Sequence, residues 1–214
     1  MPEPRAVSGI GFGLSPSFHI SNQVHWNKSM RIVIIVGLLL LCSLKYPSYA
    51  DDLSTNWNDA DLQVQRLQPS AFSELPQNIK AELESRGCTI PQVKEYGTIR
   101  PPHNVIQGEF SKKGQLDWAV LCSKNRSSSI LIFWNGLSKT YSEMAKGQDK
   151  DSLQIINGDQ IGFSRLIGVA GKDFIKTQLP IPIDHDGIND EFVNKGSVVY
   201  YYSDGRWLSV IGED

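Results

Sequence analysis

The sequence lacks most features that would identify a chemistry. Its 214 residues include only three cysteines and four histidines, with no His-Glu-x-x-His zinc motif and no Gly-x-Ser-x-Gly nucleophile elbow. There is no run of about 20 apolar residues, the length that a membrane-spanning helix needs. The formal net charge is −2, so no basic excess is present to bind nucleic acid or an anionic membrane. Whether the protein is an enzyme therefore stays open, and the absence of these motifs favours a non-catalytic protein.

The amino-terminal part has the pattern of a secretory signal peptide. Arg31 precedes an apolar core over residues 32–44, and the small residues Ser48 and Ala50 follow it. This order of basic flank, short apolar core and small residues predicts export, with cleavage after Ala50. We therefore expect a periplasmic or extracellular protein with no stable membrane span after cleavage, and residues 1–50 are excluded from the fold.

The same segment allows other interpretations. The apolar core could be retained as a membrane anchor, or a lipid could be attached to Cys42. The true start could be Met1 or Met30, because signal peptides usually begin within a few residues of the basic flank.

Two cysteines, Cys88 and Cys122, remain in the exported part. In an oxidising compartment such a pair is expected to form a disulfide. The alternative is a catalytic cysteine. However, Cys122 lies in the strand-like run AVLCS, where a thiol would be buried and inert.

The pattern after residue 50 predicts a β-rich α+β domain. Residues 51–70 are polar and are expected to form a mobile leader, followed by a single globular domain over residues 71–214. One helix is predicted before Gly87, because Leu75, Ile79 and Leu83 repeat at helical spacing. It should pack on a largely antiparallel sheet. The predicted strands are 104–110, 116–123, 129–134, 153–156, 162–169, 174–177, 197–202 and 206–211.

The segment Gly108–Val120 (GEFSKKGQLDWAV) resembles the signature of FG-GAP and VCBS repeats. In those families a Gly-x-Phe strand leads through an acidic, calcium-binding loop into Asp-x-Ala-Val. Here the loop carries Lys112 and Lys113 and has no carboxylate before Asp117. The expectation is therefore a hairpin in which Asp117 caps a turn and Trp118 packs in the core.

A wider resemblance is to small secreted bacterial proteins of unknown function. It is carried by ESRGCTIPQ, HNVIQGEFSKKGQLDWAVLCS, DHDGI and GRWL, which begin at Glu84, His103, Asp184 and Gly205. The resemblance implies export and one compact domain. It implies no activity.

An acidic segment, IDHDGINDEF, contains a possible calcium site. Asp184, Asp186 and Asp190 flank Gly187 with the spacing of the middle and end of a calcium-binding loop. Two ligands of the full loop are missing, because Pro182 and Val193 stand at the first and twelfth positions. We expect a weak calcium site at most, or an acidic turn that caps backbone amides, and no cofactor is required.

Two functional hypotheses follow from these residues. In the competing one, the protein is a hydrolase that uses His185 with Asp184 or Asp186. In the preferred one, it is a non-catalytic binding module for a protein or carbohydrate ligand. The closing hairpin supports the second, because Tyr200 and Tyr202 share one strand face and Tyr201 takes the other. One face must belong to the core, and the other can expose aromatic surface.

Overall fold

The described chain contains three helices. The computed structural model describes residues 49–94, 102–178 and 181–212. The helices are α1 (Tyr49–Leu62), α2 (Gln77–Ser85) and α3 (Lys172–Gln178). Within the described ranges, no helix has the length and apolar character that would let it cross a membrane. The apolar core 32–44 lies outside them, and the expected cleavage site falls at the start of α1.

The described strands form four antiparallel sheets, which confirms the expected β-rich α+β class. The strands are β1 (Arg66–Leu67), β2 (Ile90–Pro91), β3 (Val105–Gly108), β4 (Asp117–Lys124), β5 (Ser127–Phe133), β6 (Tyr141–Gln148), β7 (Leu153–Asn157), β8 (Gln160–Phe163), β9 (Arg165–Ala170), β10 (Gly187–Phe192), β11 (Gly196–Ser203) and β12 (Arg206–Ile211). Two sheets have four strands, in the orders β3-β4-β5-β6 and β12-β11-β10-β9, and two are the pairs β1-β2 and β7-β8.

Helix α2 is the one predicted from the apolar spacing. The way it ends determines the position of Cys88. Gly87 adopts a left-handed conformation with φ of 72°. The Cys88 amide donates to the Leu83 carbonyl, and the Gly87 amide donates to the Glu84 carbonyl. These two bonds form the Schellman motif that glycine permits. The chain thereby turns Cys88 toward Cys122 on β4, with which it forms a disulfide across a Cα–Cα distance of 5.3 Å.

The sheet β3–β6 is covered on both faces. One face of β4 and β5 packs against α2 in a core that includes Ile79, Leu83 and Trp118. The opposite face carries Leu121 and Ile132 and packs against the sheet β9–β12. Seven successive residues of β4 are therefore buried, rather than every second one. A third core lies under α3, on the far side of the sheet β9–β12.

Four segments differ from the sequence prediction. Gly187–Phe192, expected as part of a loop or an acidic turn, forms the strand β10 between β9 and β11. Where a mobile leader was expected, the chain forms α1 and β1, and Arg66 of β1 bonds the buried Asp149 at 2.8 Å. Residues 174–177, predicted as a strand, lie in α3 because Ile175 is buried as part of a helical face. Residues 141–148, which are not among the predicted strands, form β6, an edge strand with few apolar residues.

Disulfide removal gives the first test of this architecture. The bond closes a separation of 34 residues, so replacing both Cys88 and Cys122 by alanine is expected to lower the free energy of unfolding by about 3 to 4 kcal/mol. Urea unfolding measures this loss. Cys42→Ser is the control and should leave the midpoint unchanged, and a double variant as stable as the parent chain would contradict the expectation.

Candidate functional site

The hairpin β11–β12 separates its tyrosines as the sequence predicted. Tyr201 is 5% exposed and lies in the core under α3. Tyr200 and Tyr202 lie on the other face and are only partly buried. On this face Ile188 of β10 packs in the core against the sheet β3–β6, whereas the outer strand β12 is less buried. Exposure therefore rises outward, from the fully buried Ile188 to Ile211, which is 81% exposed.

Three aromatic rings meet on that face, and we call them the aromatic cluster: Trp134, Tyr202 and Trp207. The rings of Trp134 and Trp207 stack with centroids 5.8 Å apart and planes 16° apart. Tyr202 lies 5.1 Å from Trp134 and 5.4 Å from Trp207, tilted against both. Trp207 also donates from Nε1 to Ser142 Oγ at 3.1 Å. All three rings keep part of their surface exposed.

The position of Trp134 depends on the buried carboxylate of Asp117. Asp117 accepts hydrogen bonds from the Asn135 amide at 2.7 Å and from the Ser111 amide at 3.0 Å. Asn135 has a positive φ of 52°, which an Asn tolerates better than most residues. Asp117 thus caps the loop before β4 and holds the turn that carries Trp134. This confirms the hairpin capped by Asp117, and Trp118 lies in the core as expected.

A second set of contacts ties α2 to the chain just after that turn. Glu82 accepts hydrogen bonds from Lys139 Nζ at 2.6 Å and from Arg86 Nε at 2.7 Å. These bonds, first that of Lys139 and then that of Arg86, lower the pKa of the Glu82 carboxyl. Asn78 donates to the Gly136 carbonyl at 2.9 Å. The turn is therefore held from two sides, which gives Trp134 a fixed position.

Two exposed aliphatic residues lie on the loops that the Asp117 carboxylate joins. Leu116 and Leu137 are each 53% exposed. Leu116 precedes the capping Asp117, and the Leu137 amide donates to the Trp134 carbonyl. Leu137 therefore follows directly on the turn that carries Trp134, and Leu116 lies on the loop that Asp117 joins to this turn.

A shallow groove of about 470 Å³ lies farther along the same hairpin. Its main charged feature is the ion pair of Arg165 with Asp190, in which both guanidinium-to-carboxylate distances are short, 2.8 Å and 2.7 Å. Arg165 Nη2 also donates to the carbonyl of Ala145, a residue with φ of 52° in β6. The ion pair therefore joins β9 and β10 to a strained position on the neighbouring sheet.

The residues of the predicted calcium site have other contacts. Asp190 is held by Arg165, and the Asp186 carboxylate accepts a hydrogen bond from the Glu109 amide at 3.3 Å. A Cβ on Gly187 would lie 2.6 Å from the Tyr200 carbonyl oxygen, so close strand packing requires glycine there. Asp184 is exposed. In the described part of the chain, no group of three or more His, Cys, Asp or Glu residues is arranged to hold a metal. Calcium binding stays a prediction.

The hydrolase candidate His185 is 7% exposed. Its Nδ1 lies 2.9 Å from the Asp186 carbonyl oxygen. Because a carbonyl only accepts hydrogen bonds, Nδ1 carries the proton and contacts the backbone of Asp186. The hydrolase hypothesis likewise stays a prediction.

The sequence pointed to the hairpin tyrosines but did not show that Trp134 would join them. Trp134 and Trp207 are far apart in the chain, and no local pattern links them. The pairing of Arg165 with Asp190 was missed for the same reason, although a single arginine in an otherwise apolar strand-like run was a usable signal.

Comparison with known proteins adds no family to this geometry. No protein-family model, no curated protein and no solved structure matches the chain. The two resemblances seen in the sequence stay predictions. The function is therefore argued from the residues of the site alone.

The Arg165–Asp190 pair gives a test that also addresses calcium. Asp190→Ala leaves a buried guanidinium without its carboxylate and is expected to cost about 3 to 5 kcal/mol of unfolding free energy. The loss should be equal in EDTA and in millimolar calcium. Asp184→Ala, at an exposed position, is the control and should cost little. A wild-type melting point that rises with calcium, and fails to rise in Asp186→Ala, would instead establish the metal site.

Tyr200 gives a test by pH. Burial and then the nearby Asp190 carboxylate raise the pKa of the Tyr200 hydroxyl. The unfolded chain therefore loses this proton first, near pH 10, and above that pH the folded state binds more protons than the unfolded state. Stability is accordingly expected to fall as pH rises from about 10 through the folded pKa. Unfolding at a series of alkaline pH values should show a smaller fall in Tyr200→Phe, and equal slopes would contradict the assignment.

Proposed function

We propose that the chain is an exported, non-catalytic binding module whose partner is a protein. The partner contacts the aromatic cluster of Trp134, Tyr202 and Trp207 together with the adjacent Leu116 and Leu137. The observation that carries this proposal is the convergence of three partly exposed aromatic rings, one from the turn after β5 and two from the hairpin β11–β12.

The residue types support a binding surface. Trp and Tyr dominate the residues whose loss weakens protein interfaces most, because each contributes a large rigid apolar area. The cluster is held by Asp117, by the turn after β5 and by the Trp207–Ser142 hydrogen bond. A surface fixed before binding loses less conformational entropy when a partner arrives.

The neighbours of the cluster favour a protein over a carbohydrate. Leu116 and Leu137 are exposed aliphatic side chains, and Leu137 follows directly on the turn of Trp134. Such exposed aliphatic area suits an apolar protein surface. A sugar would need polar side chains around the rings to bond its hydroxyls, as in most small-ligand sites.

Two features support export. The sequence around residues 32–50 has the order of a signal peptide. The Cys88–Cys122 disulfide is also typical of proteins in oxidising compartments.

The partner can be captured with a photo-reactive amino acid in place of Leu137, in the cells that produce the chain. We expect one cross-linked protein, which mass spectrometry identifies and which then binds the purified chain directly. Trp134→Ala and Tyr202→Ala should each weaken this binding by roughly 30-fold, the effect of losing an interface residue worth about 2 kcal/mol.

Matched variants separate binding from folding. Ile155→Ala removes an apolar side chain on β7 that is about as exposed as Leu137. It should leave the affinity for the partner unchanged. Leu137→Glu keeps the three rings and should still weaken binding, while its melting point matches that of the parent chain. Unchanged affinity in both Trp134→Ala and Leu137→Glu would refute the proposal, and ring-dependent binding to an oligosaccharide array would reassign the ligand as a carbohydrate.

A further inference from the structure

The outer edge of β12 is a second candidate surface, formed by the backbone of the strand that carries Trp207 of the aromatic cluster. β12 is the end strand of its sheet, and within the described ranges no strand pairs with its outer side. The Gly212 amide donates to the Ser197 carbonyl of β11 at 2.9 Å, so the backbone groups of Gly212 point toward β11. Hydrogen bonding alternates along an antiparallel strand. The backbone groups of Trp207, Ser209 and Ile211 therefore point outward.

We propose that this edge pairs with the same edge of a second copy of the chain, in antiparallel register about a two-fold axis through Ser209. The two copies of Ser209 then lie opposite each other, and Trp207 lies opposite Ile211 of the copy. All three outward amides and all three outward carbonyls of each strand are bonded in this register. The two sheets become one continuous eight-stranded sheet.

The side chains fit the same register on both faces. Trp207 opposite Ile211 is an aromatic and β-branched pair, a combination that stabilises neighbouring strands. On the other face Leu208 lies opposite Val210, both partly buried against the core under α3. The single charged residue of β12, Arg206, lies opposite Gly212, so the register brings no like charges together. Ile211, 81% exposed in one copy, becomes covered.

Neighbouring registers fit less well. An axis through Leu208 places Ile211 opposite Gly205 of the hairpin turn, which gives it no side chain to contact. An axis through Val210 places Leu208 opposite Gly212. Among these three, only the Ser209-centred register matches each large apolar side chain of β12 with another. This self-complementarity points to a second copy of this chain as the occupant of the edge.

A cysteine at the axis tests the register. Residues in such a bonded pair have Cα atoms about 5.5 Å apart, within the range that a disulfide spans. In the full chain carrying Cys42→Ser, we expect Ser209→Cys to form a covalent dimer on mild oxidation or with a short thiol cross-linker. Ser203→Cys, at the hairpin turn, is the matched control and should stay monomeric. A Ser209→Cys chain that dimerises no more than the control would overturn the proposal.

Charges at the axis give a second, independent test. Ser209→Lys and Ser209→Glu each place like charges directly opposite. Recovery of one tagged copy with another of the same variant should therefore fall about fivefold, the effect of about 1 kcal/mol. Co-expression of the Lys variant with the Glu variant should restore recovery. Ser209 is exposed, so unchanged circular dichroism is expected in both. Equal recovery in all combinations would refute the pairing.

The dimer proposal and the protein-partner proposal can be refuted independently. Trp134→Ala removes a ring but leaves the β12 backbone intact, so Ser209→Cys cross-linking should persist in it. A chain that cross-links normally but binds no partner refutes the proposed function alone. A chain that binds its partner but does not cross-link refutes the dimer alone.

Discussion

The fold depends on covering both faces of the strands β4 and β5. Their side chains are apolar on each side, so neither face can be left to water without losing a large part of the hydrophobic stabilisation. Helix α2 covers one face and the sheet β9–β12 covers the other. The second sheet in turn needs α3 on its far side. The layered order follows from this single requirement.

Buried polar groups then fix how the layers are aligned. Asn104 donates to the carbonyls of Pro91 and Arg165 and accepts from the Ile167 amide. It thereby joins β2 to β9. Arg165 connects Asp190 with the Ala145 carbonyl. Apolar packing tolerates small shifts, whereas these bonds need defined positions because an unpaired buried polar group costs about 1 to 3 kcal/mol. The same precision holds the turn that carries Trp134.

Local sequence predicted the elements whose signals are short. Helix α2, with its apolar spacing and Gly87, and the closing hairpin with its Asp204-Gly205 turn were both placed correctly. Asp204 and Gly205 both have positive φ, as a two-residue type I′ hairpin turn requires. Segment 174–177 was wrong, since a short apolar run fits strand and helix equally well. The edge strand β6 was missed because its stability comes from pairing with β5 rather than from its own residues.

By itself, the sequence determined the β-rich class, helix α2, the closing hairpin, the pairing of Cys88 with Cys122 and the division of the tyrosines between two faces. Each of these rests on residue spacing within one segment or on the scarcity of alternatives. Only the tertiary structure decided that Trp134 would pack against Tyr202 and Trp207, that Asp190 would form an ion pair with Arg165, and that β12 would be an edge strand. Those features depend on the order and packing of the sheets, which long-range burial sets and no local pattern encodes.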